Sequence, residues 1–242
     1  MEEEKLWIVE EVNKLLGPLV VKVFSYLGIH LNHHEPIPAH VVLALLASIT
    51  VIVVFGFLSG KPTMVPGKKQ SVFEQIFLFV DNLNREIIGH EGRQFIPIVG
   101  TLFLFILTMN YFGLLPGLAS PTTNINVPAG MAIFVYLYYN YQGIRRHKLA
   151  YIKQFTGEYI FIAPIMGPIE FVSHLSRPLS LSIRLFGNIT AEETLILVLA
   201  GLFAPLLPVP MMALAIITGA LQAYIFAMLT AVYISGAVSE EH

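Results

Sequence analysis

Between positions 170 and 193 a largely apolar stretch carries Glu170, Ser173, Arg177, Ser180, Arg184, Asn188, Glu192 and Glu193. A charge inside a membrane helix costs about 2.5–3.5 kcal/mol on insertion scales, so such residues mark ion paths or binding sites by default. At 100° per residue, Glu170, Ser173, Arg177, Ser180 and Asn188 all fall within about 40° of Arg184, forming one polar stripe. Glu193 falls about 180° from Arg184 and Glu192 about 80°. One helix thus presents an arginine-centred stripe toward its start and a carboxylate facing another way toward its end, the geometry of two separated aqueous routes. A guanidinium stays charged even when poorly solvated, because its pKa lies above about 12. It can therefore favour the ionised form of a nearby carboxylate. Gln222 and Tyr233 are eleven residues apart on a later apolar segment and share a face, which gives the stripe a partner surface.

Other chemistries fit less well. Ser173-His174 are adjacent, so on a helix they do not face each other, and no Gly-x-Ser-x-Gly elbow accompanies them. His33-His34-Glu35 and His40 stand beside Pro36 and Pro38 at a helix entrance and read as a solvated loop rather than a metal site. His90-Glu91 reads the same way, and Met211-Met212 as packing. Taken singly, Arg184 is compatible with a snorkelling or structurally paired arginine, Glu170 and Ser173 with an interfacial helix cap, and Asn110 with a packing amide. A self-contained secondary transporter would also carry intramembrane charges, but it calls for paired repeats and broken helices, and neither is visible. Purification separates the two classes: a transporter is active alone, a subunit co-isolates with its partners.

The elements that must position these residues are membrane helices. With 55% hydrophobic and 12% charged residues the chain is too apolar for an ordinary soluble domain. Its uncharged runs approach the roughly 20 residues that cross a hydrocarbon core, which favours a helical bundle over a barrel's short alternating strands. There is no cysteine, hence no disulfide or thiol catalyst, and a net charge of −2 without a basic stripe gives no nucleic-acid footprint. The acidic start Met1-Glu2-Glu3-Glu4 is no signal or transit peptide, so the spans themselves target the chain.

The predicted organisation is a single all-α membrane domain. An extramembrane or interfacial segment covers 1–38, a first span 39–60, an amphipathic interfacial helix 71–89, a second span 95–115 and a third 127–144. A tilted channel-forming hairpin covers 164–237. In the 71–89 helix Phe73, Ile76, Phe77, Val80, Leu83 and Ile87 recur at helical spacing, with Glu74, Asp81, Asn84, Arg85 and Glu86 elsewhere, so it is expected to lie on the membrane. The run from Ile169 to about Leu202 is roughly 34 residues, about 50 Å, longer than the bilayer is thick, so it must tilt or bend, with Pro178 as a kink point. Lys61, Lys68, Lys69 and the Arg145-Arg146-His147-Lys148 cluster put those ends inside, the charge-free loop 116–126 outside, the N-terminus outside and the C-terminus in the cytoplasm.

Ser180-Leu-Ser-Ile-Arg184-Leu-Phe-Gly-Asn188, then Ala191-Glu192-Glu193 and Gln222-Ala-Tyr-Ile-Phe226, resemble the signature of the membrane subunit a family of F-type ATP synthases. Phe95-Ile-Pro, Met109-Asn110 and Leu114-Leu115-Pro116 extend the resemblance, which covers roughly Ser71 to Tyr233. It implies a stator that loads and unloads the carboxylates of a rotating c-ring through two proton half-channels, with no catalytic site or cofactor of its own. The implied partners are the c-ring, the peripheral-stalk subunit b, the lipid bilayer and translocated protons rather than sodium ions, with no nucleic acid. The implied place is a bacterial inner membrane. Arg184 would be the stator arginine and Gln222 its neighbour; Glu193, Asn188 and Asn110 would line the outer half-channel, and Glu170 and Ser173 the cytoplasmic one. The chain departs from members that carry a His or Glu one helical stretch before the glutamine, since Ala215 stands there. Glu192 beside Glu193 then supplies the second acid, as in chloroplast-like members.

Overall fold

The computed structural model describes residues 7–26, 36–58, 67–115, 118–148, 163–202 and 208–238. Among them are seven α-helices and no strand: α1 (Trp7–Tyr26), α2 (Ala39–Leu58), α3 (Lys68–Ile88), α4 (Ile96–Phe112), α5 (Asn126–His147), α6 (Ala163–Leu202) and α7 (Pro208–Val238). Short 3-10 segments precede α4 (His90–Phe95) and α5 (Pro121–Thr123). The chain is an all-α membrane protein.

Three stretches are long and apolar enough to cross a bilayer by length and composition: Ala39–Phe57, His90–Phe112 and Pro208–Val238. The third and fourth expected spans form as helices too, but their sequences are more polar: α5 ends in Arg145-Arg146-His147 and α6 carries three glutamates and two arginines. At 1.5 Å per residue the 40 residues of α6 run about 60 Å, twice the thickness of a hydrocarbon core, so steep inclination or bending is unavoidable. The helix continues through Pro168 and Pro178, although each removes a backbone donor. Pro97 in the first turn of α4 costs nothing comparable, because amides there have no intrahelical partner.

Packing between the helices follows from small side chains. Ala215, Gly219, Ala223, Ala227 and Ala231 recur every four residues on α7 and are all buried, a stripe that lets neighbouring backbones come close. A Cβ at Gly219 would already touch Asn110 and Tyr111 of α4 at 3.4 and 3.5 Å. Against this stripe and around it pack Ile106, Met109, Val135, Leu181, Leu185 and Phe226. Outward-facing Ile52, Val53, Leu179, Ile183, Leu197 and Ile217 are exposed, as lipid-facing side chains are in a protein whose solvent is hydrocarbon.

Two regions depart from the sequence expectation. Within 1–38, Trp7–Tyr26 is a helix whose Asn13 pairs with the backbone of Ile37: Nδ2 donates to the carbonyl at 3.0 Å and Oδ1 accepts from the amide at 3.0 Å. That double bond ties α1 to the entrance of α2. The amphipathic helix α3 is not simply laid on a surface, because Asp81 and Asn84 are buried along with Val80 and Leu83, while Phe77 and Leu78 are exposed. Its second half is held against the bundle: Val80 meets Gly100, Ser235 Oγ donates to the Ile87 carbonyl at 3.0 Å, and Arg85 covers the Asp81 carboxylate at 2.9 Å. The burial of Asp81 and Asn84 thus comes from docking between 3-10 segment, α4 and α7, which a helix-face count does not see. Residues 33–35 and 61–66, with the His pair and Lys61, lie outside the described residues.

Candidate functional site

The register of α6 is set by Leu181, Leu185 and Ile189, which are buried at 2%, 0% and 3% exposure. Four-residue spacing turns that face inward and leaves Ile183, Arg184, Gly187 and Asn188 exposed on the outer side. Among the described residues Arg184 forms no hydrogen bond or ion pair, so its charge is presented outward. One turn along, Asn188 Nδ2 donates to Gln222 Oε1 at 2.9 Å, and Gln222 is buried in α7. Asn188 and Gln222 therefore meet at the α6–α7 seam, and Arg184 stands one turn away along α6.

Glu193 leaves that face. One of its carboxylate oxygens accepts from the backbone amide of Ser120 at 2.8 Å, in the loop between α4 and α5. Gly113 at the end of α4 makes room for it, since a Cβ there would collide with the Glu193 carboxylate. The polar chain continues inward. Ser120 and Thr122 hydroxyls lie 2.6 Å apart; Ser120 Oγ donates to the Met109 carbonyl at 2.9 Å and Thr122 Oγ1 to Asn110 Oδ1 at 3.0 Å, and Asn110 Nδ2 donates to the Gly219 carbonyl at 3.1 Å. Two hydroxyl protons thus serve three hydrogen-bond contacts, so the pair can exchange donor and acceptor roles without moving heavy atoms. Glu192 instead lies beside Thr218 of α7, so the two adjacent acids serve different surfaces.

At the other end of α6 the acid is Glu170. Its Oε1 lies 3.4 Å from Nε2 of His174, an i,i+4 pair, and His174 is 1% exposed. Tyr139 OH lies 3.4 Å from His174 Nδ1, the Tyr139 and Tyr233 rings stand 5.8 Å apart, and the Arg177 guanidinium lies 5.5 Å from the Tyr233 ring centre. Tyr233 thus joins Glu170 through two intervening side chains, while Ser173 is exposed and stands outside the cluster. Along α6, Glu170 is 14 residues from Arg184, about 21 Å, and Glu193 is 9 residues beyond, about 13 Å. The polar clusters accordingly flank the arginine at opposite ends of a bilayer-sized distance.

Ser120, Thr122 and Tyr139 are not singled out by the sequence, and His174 stands out there only as the neighbour of Ser173. Glu170 and His174 four apart on one helix was a readable signal. Ser120 and Thr122 gave none beyond lying in a charge-free loop. No group of three metal-capable side chains occurs among the described residues.

Residues 40–235 match the family described as ATP synthase A chain. An ATP synthase subunit a of Sulfurihydrogenibium sp. (strain YO3AOP1) is 42% identical over 204 residues, covering 84% of this chain and 99% of that relative. Those of Oleidesulfovibrio alaskensis and Nitratidesulfovibrio vulgaris (strain DP4) are 44% and 46% identical over 202 and 180 residues, covering 83% and 74% of this chain and 84% and 77% of the relatives. With a family match over most of its length and relatives at this identity, the chain belongs to the ATP synthase A chain family.

Proposed function

We propose that this chain is the stator ion-channel subunit of the membrane sector of an F-type ATP synthase. It is non-catalytic and sits in the bacterial inner membrane, N-terminus outside and C-terminus cytoplasmic. The observation that carries this is Arg184 on the outer face of α6, unpaired among the described residues, with polar clusters of opposite position behind it. An exposed guanidinium in a membrane helix without a local acid calls for a carboxylate from another chain, and a c-ring that turns past α6 supplies one per subunit.

As a ring carboxylate reaches Arg184 the attraction favours its ionised form, so it gives its proton to one half-channel and takes the next from the other. The Glu193–Ser120–Thr122–Asn110 chain with Asn188 serves the outer half-channel, and Glu170, His174 and Tyr233 the cytoplasmic one, while exposed Ser173 stands outside that cluster. Gln222 holds Asn188 and so the α6–α7 seam next to the arginine. Glu192 is a secondary acid at the outer side. The peripheral-stalk subunit b holds the stator still, and each charge that crosses contributes about 2.3 kcal/mol per 100 mV.

Contact between α6 and the ring is testable in the assembled complex by disulfide trapping. Cysteine at exposed Ile183 or Gly187 cross-links to a cysteine beside the ring carboxylate, whereas cysteine at buried Leu185 or Ile189 does not. Equal trapping from all four positions, or none from the first two, overturns the docking face.

A further inference from the structure

At one end of the bundle the turn from α3 into α4 forms a small, firmly seated platform. Gly89 takes a φ of 85°, which favours glycine, and a Cβ at Gly92 would collide with the backbone carbonyl of Asn84. The 3-10 segment between them is thus locked onto α3, and it carries an open pocket of about 480 Å³ lined by His90, Glu91, Arg93, Gln94 and Arg146. Arg146 of α5 pairs with Glu91 through two guanidinium nitrogens, the second at 2.9 Å, so the one carboxylate lining the pocket among the described residues is already neutralised. Arg93 is exposed and makes no hydrogen bond or ion pair among the described residues. What remains is one uncompensated guanidinium with an amide and an imidazole beside it, a donor set for an anion.

Position decides which anion. The apolar helix α4 begins at Ile96, two residues after Gln94, and α5 ends at His147, so the pocket lies at the boundary where two helices leave the hydrocarbon. On the adjoining face of α5, exposed Leu137, Tyr141 and Ile144 lead up to Arg145 and Lys148, an apolar strip capped by cations. We infer that this pocket binds a phosphate group, delivered by an anionic phospholipid whose acyl chains lie along that strip. Basic pockets at helix ends take lipid head groups in this way. The inference is independent of the proton path proposed above, since neither Arg93 nor Gln94 touches it.

The test uses the delipidated complex in neutral detergent, incubated with a mixture of phosphatidylglycerol and phosphatidylcholine, washed, and assayed for retained lipid by mass spectrometry. The wild type retains phosphatidylglycerol in preference to phosphatidylcholine, Arg93→Gln lowers that retention at least threefold, Arg93→Lys restores part of it, and phosphatidylcholine is unchanged throughout. Subunit content by gel confirms that each variant is assembled. A parallel arm measures binding of inorganic phosphate: saturable binding that Arg93→Gln abolishes, without lipid preference, keeps the phosphate site but overturns its lipid source. Equal lipid retention and equal phosphate binding in wild type and Arg93→Gln overturn the site. Loss of a partner subunit in Arg93→Gln, with retention unchanged, reassigns the pocket to a protein contact and likewise overturns it.

Discussion

Thr122 is fully buried, and its hydroxyl joins Ser120 to the side chain of Asn110. Replacing it by valine keeps the branched shape but deletes the proton donor that serves Asn110 Oδ1 and one of the two hydroxyls able to exchange roles. A buried acceptor left without its donor costs about 1–3 kcal/mol. If that penalty falls on the transfer step, at about 1.4 kcal/mol per tenfold in rate, proton flux drops by about 5- to 150-fold. Thr122→Ser removes only a methyl group, which costs stability of order 1 kcal/mol and spares the hydroxyl. The expected result is that Thr122→Val slows proton uptake by reconstituted vesicles at least fivefold, while Thr122→Ser stays within about twofold of wild type. Flux is normalised to assembled complex, so a loss of yield is not read as a loss of transfer. Wild-type flux in Thr122→Val, or an equal defect in both variants, refutes a role for the hydroxyl pair.

Glu193→Gln preserves an acceptor for the Ser120 amide but cannot carry a proton, so it slows flux severely, whereas Glu192→Gln, beside Thr218, does so mildly; a larger defect for Glu192→Gln reverses the assignment. Glu193→His retains partial flux, because imidazole also relays protons near neutral pH. Gly113→Ala pushes a methyl group into the Glu193 carboxylate and lies 3.1 Å from Ser120 Cβ, so it lowers both flux and the thermal stability of the complex, by about 1–3 kcal/mol for an overpacked site. A Gly113→Ala complex with wild-type melting and flux shows that Glu193 does not sit against that backbone.

The architecture was legible where one physical signal dominated. Uncharged runs long enough for a bilayer located α2, α4 and α7 to within a few residues, and at 100° per residue Arg184 and Glu193 fall on opposite sides of α6, where Glu193 meets the Ser120 amide. Long-range contacts were not legible. That Asn13 pins Ile37, or that Ser120 reaches Glu193 across 73 positions, depends on loops folding back, which periodicity does not encode. Asp81 and Asn84 read as a polar face because a helix pattern records residue type and cannot say which neighbours dock there. His174 does not face its neighbour Ser173, whereas Glu170 four residues back lies on its own side of the helix and comes within 3.4 Å.

The central claim is that Arg184 couples ion passage to a carboxylate on another chain, and its most direct test is ATP-driven proton pumping by membranes carrying Arg184→Gln and Arg184→Lys. Both variants abolish pumping, while the detached soluble sector still hydrolyses ATP: glutamine has no charge, and an ammonium has a different reach and, once the ring covers it, can lose its proton. Pumping at the wild-type rate in Arg184→Gln would contradict the account.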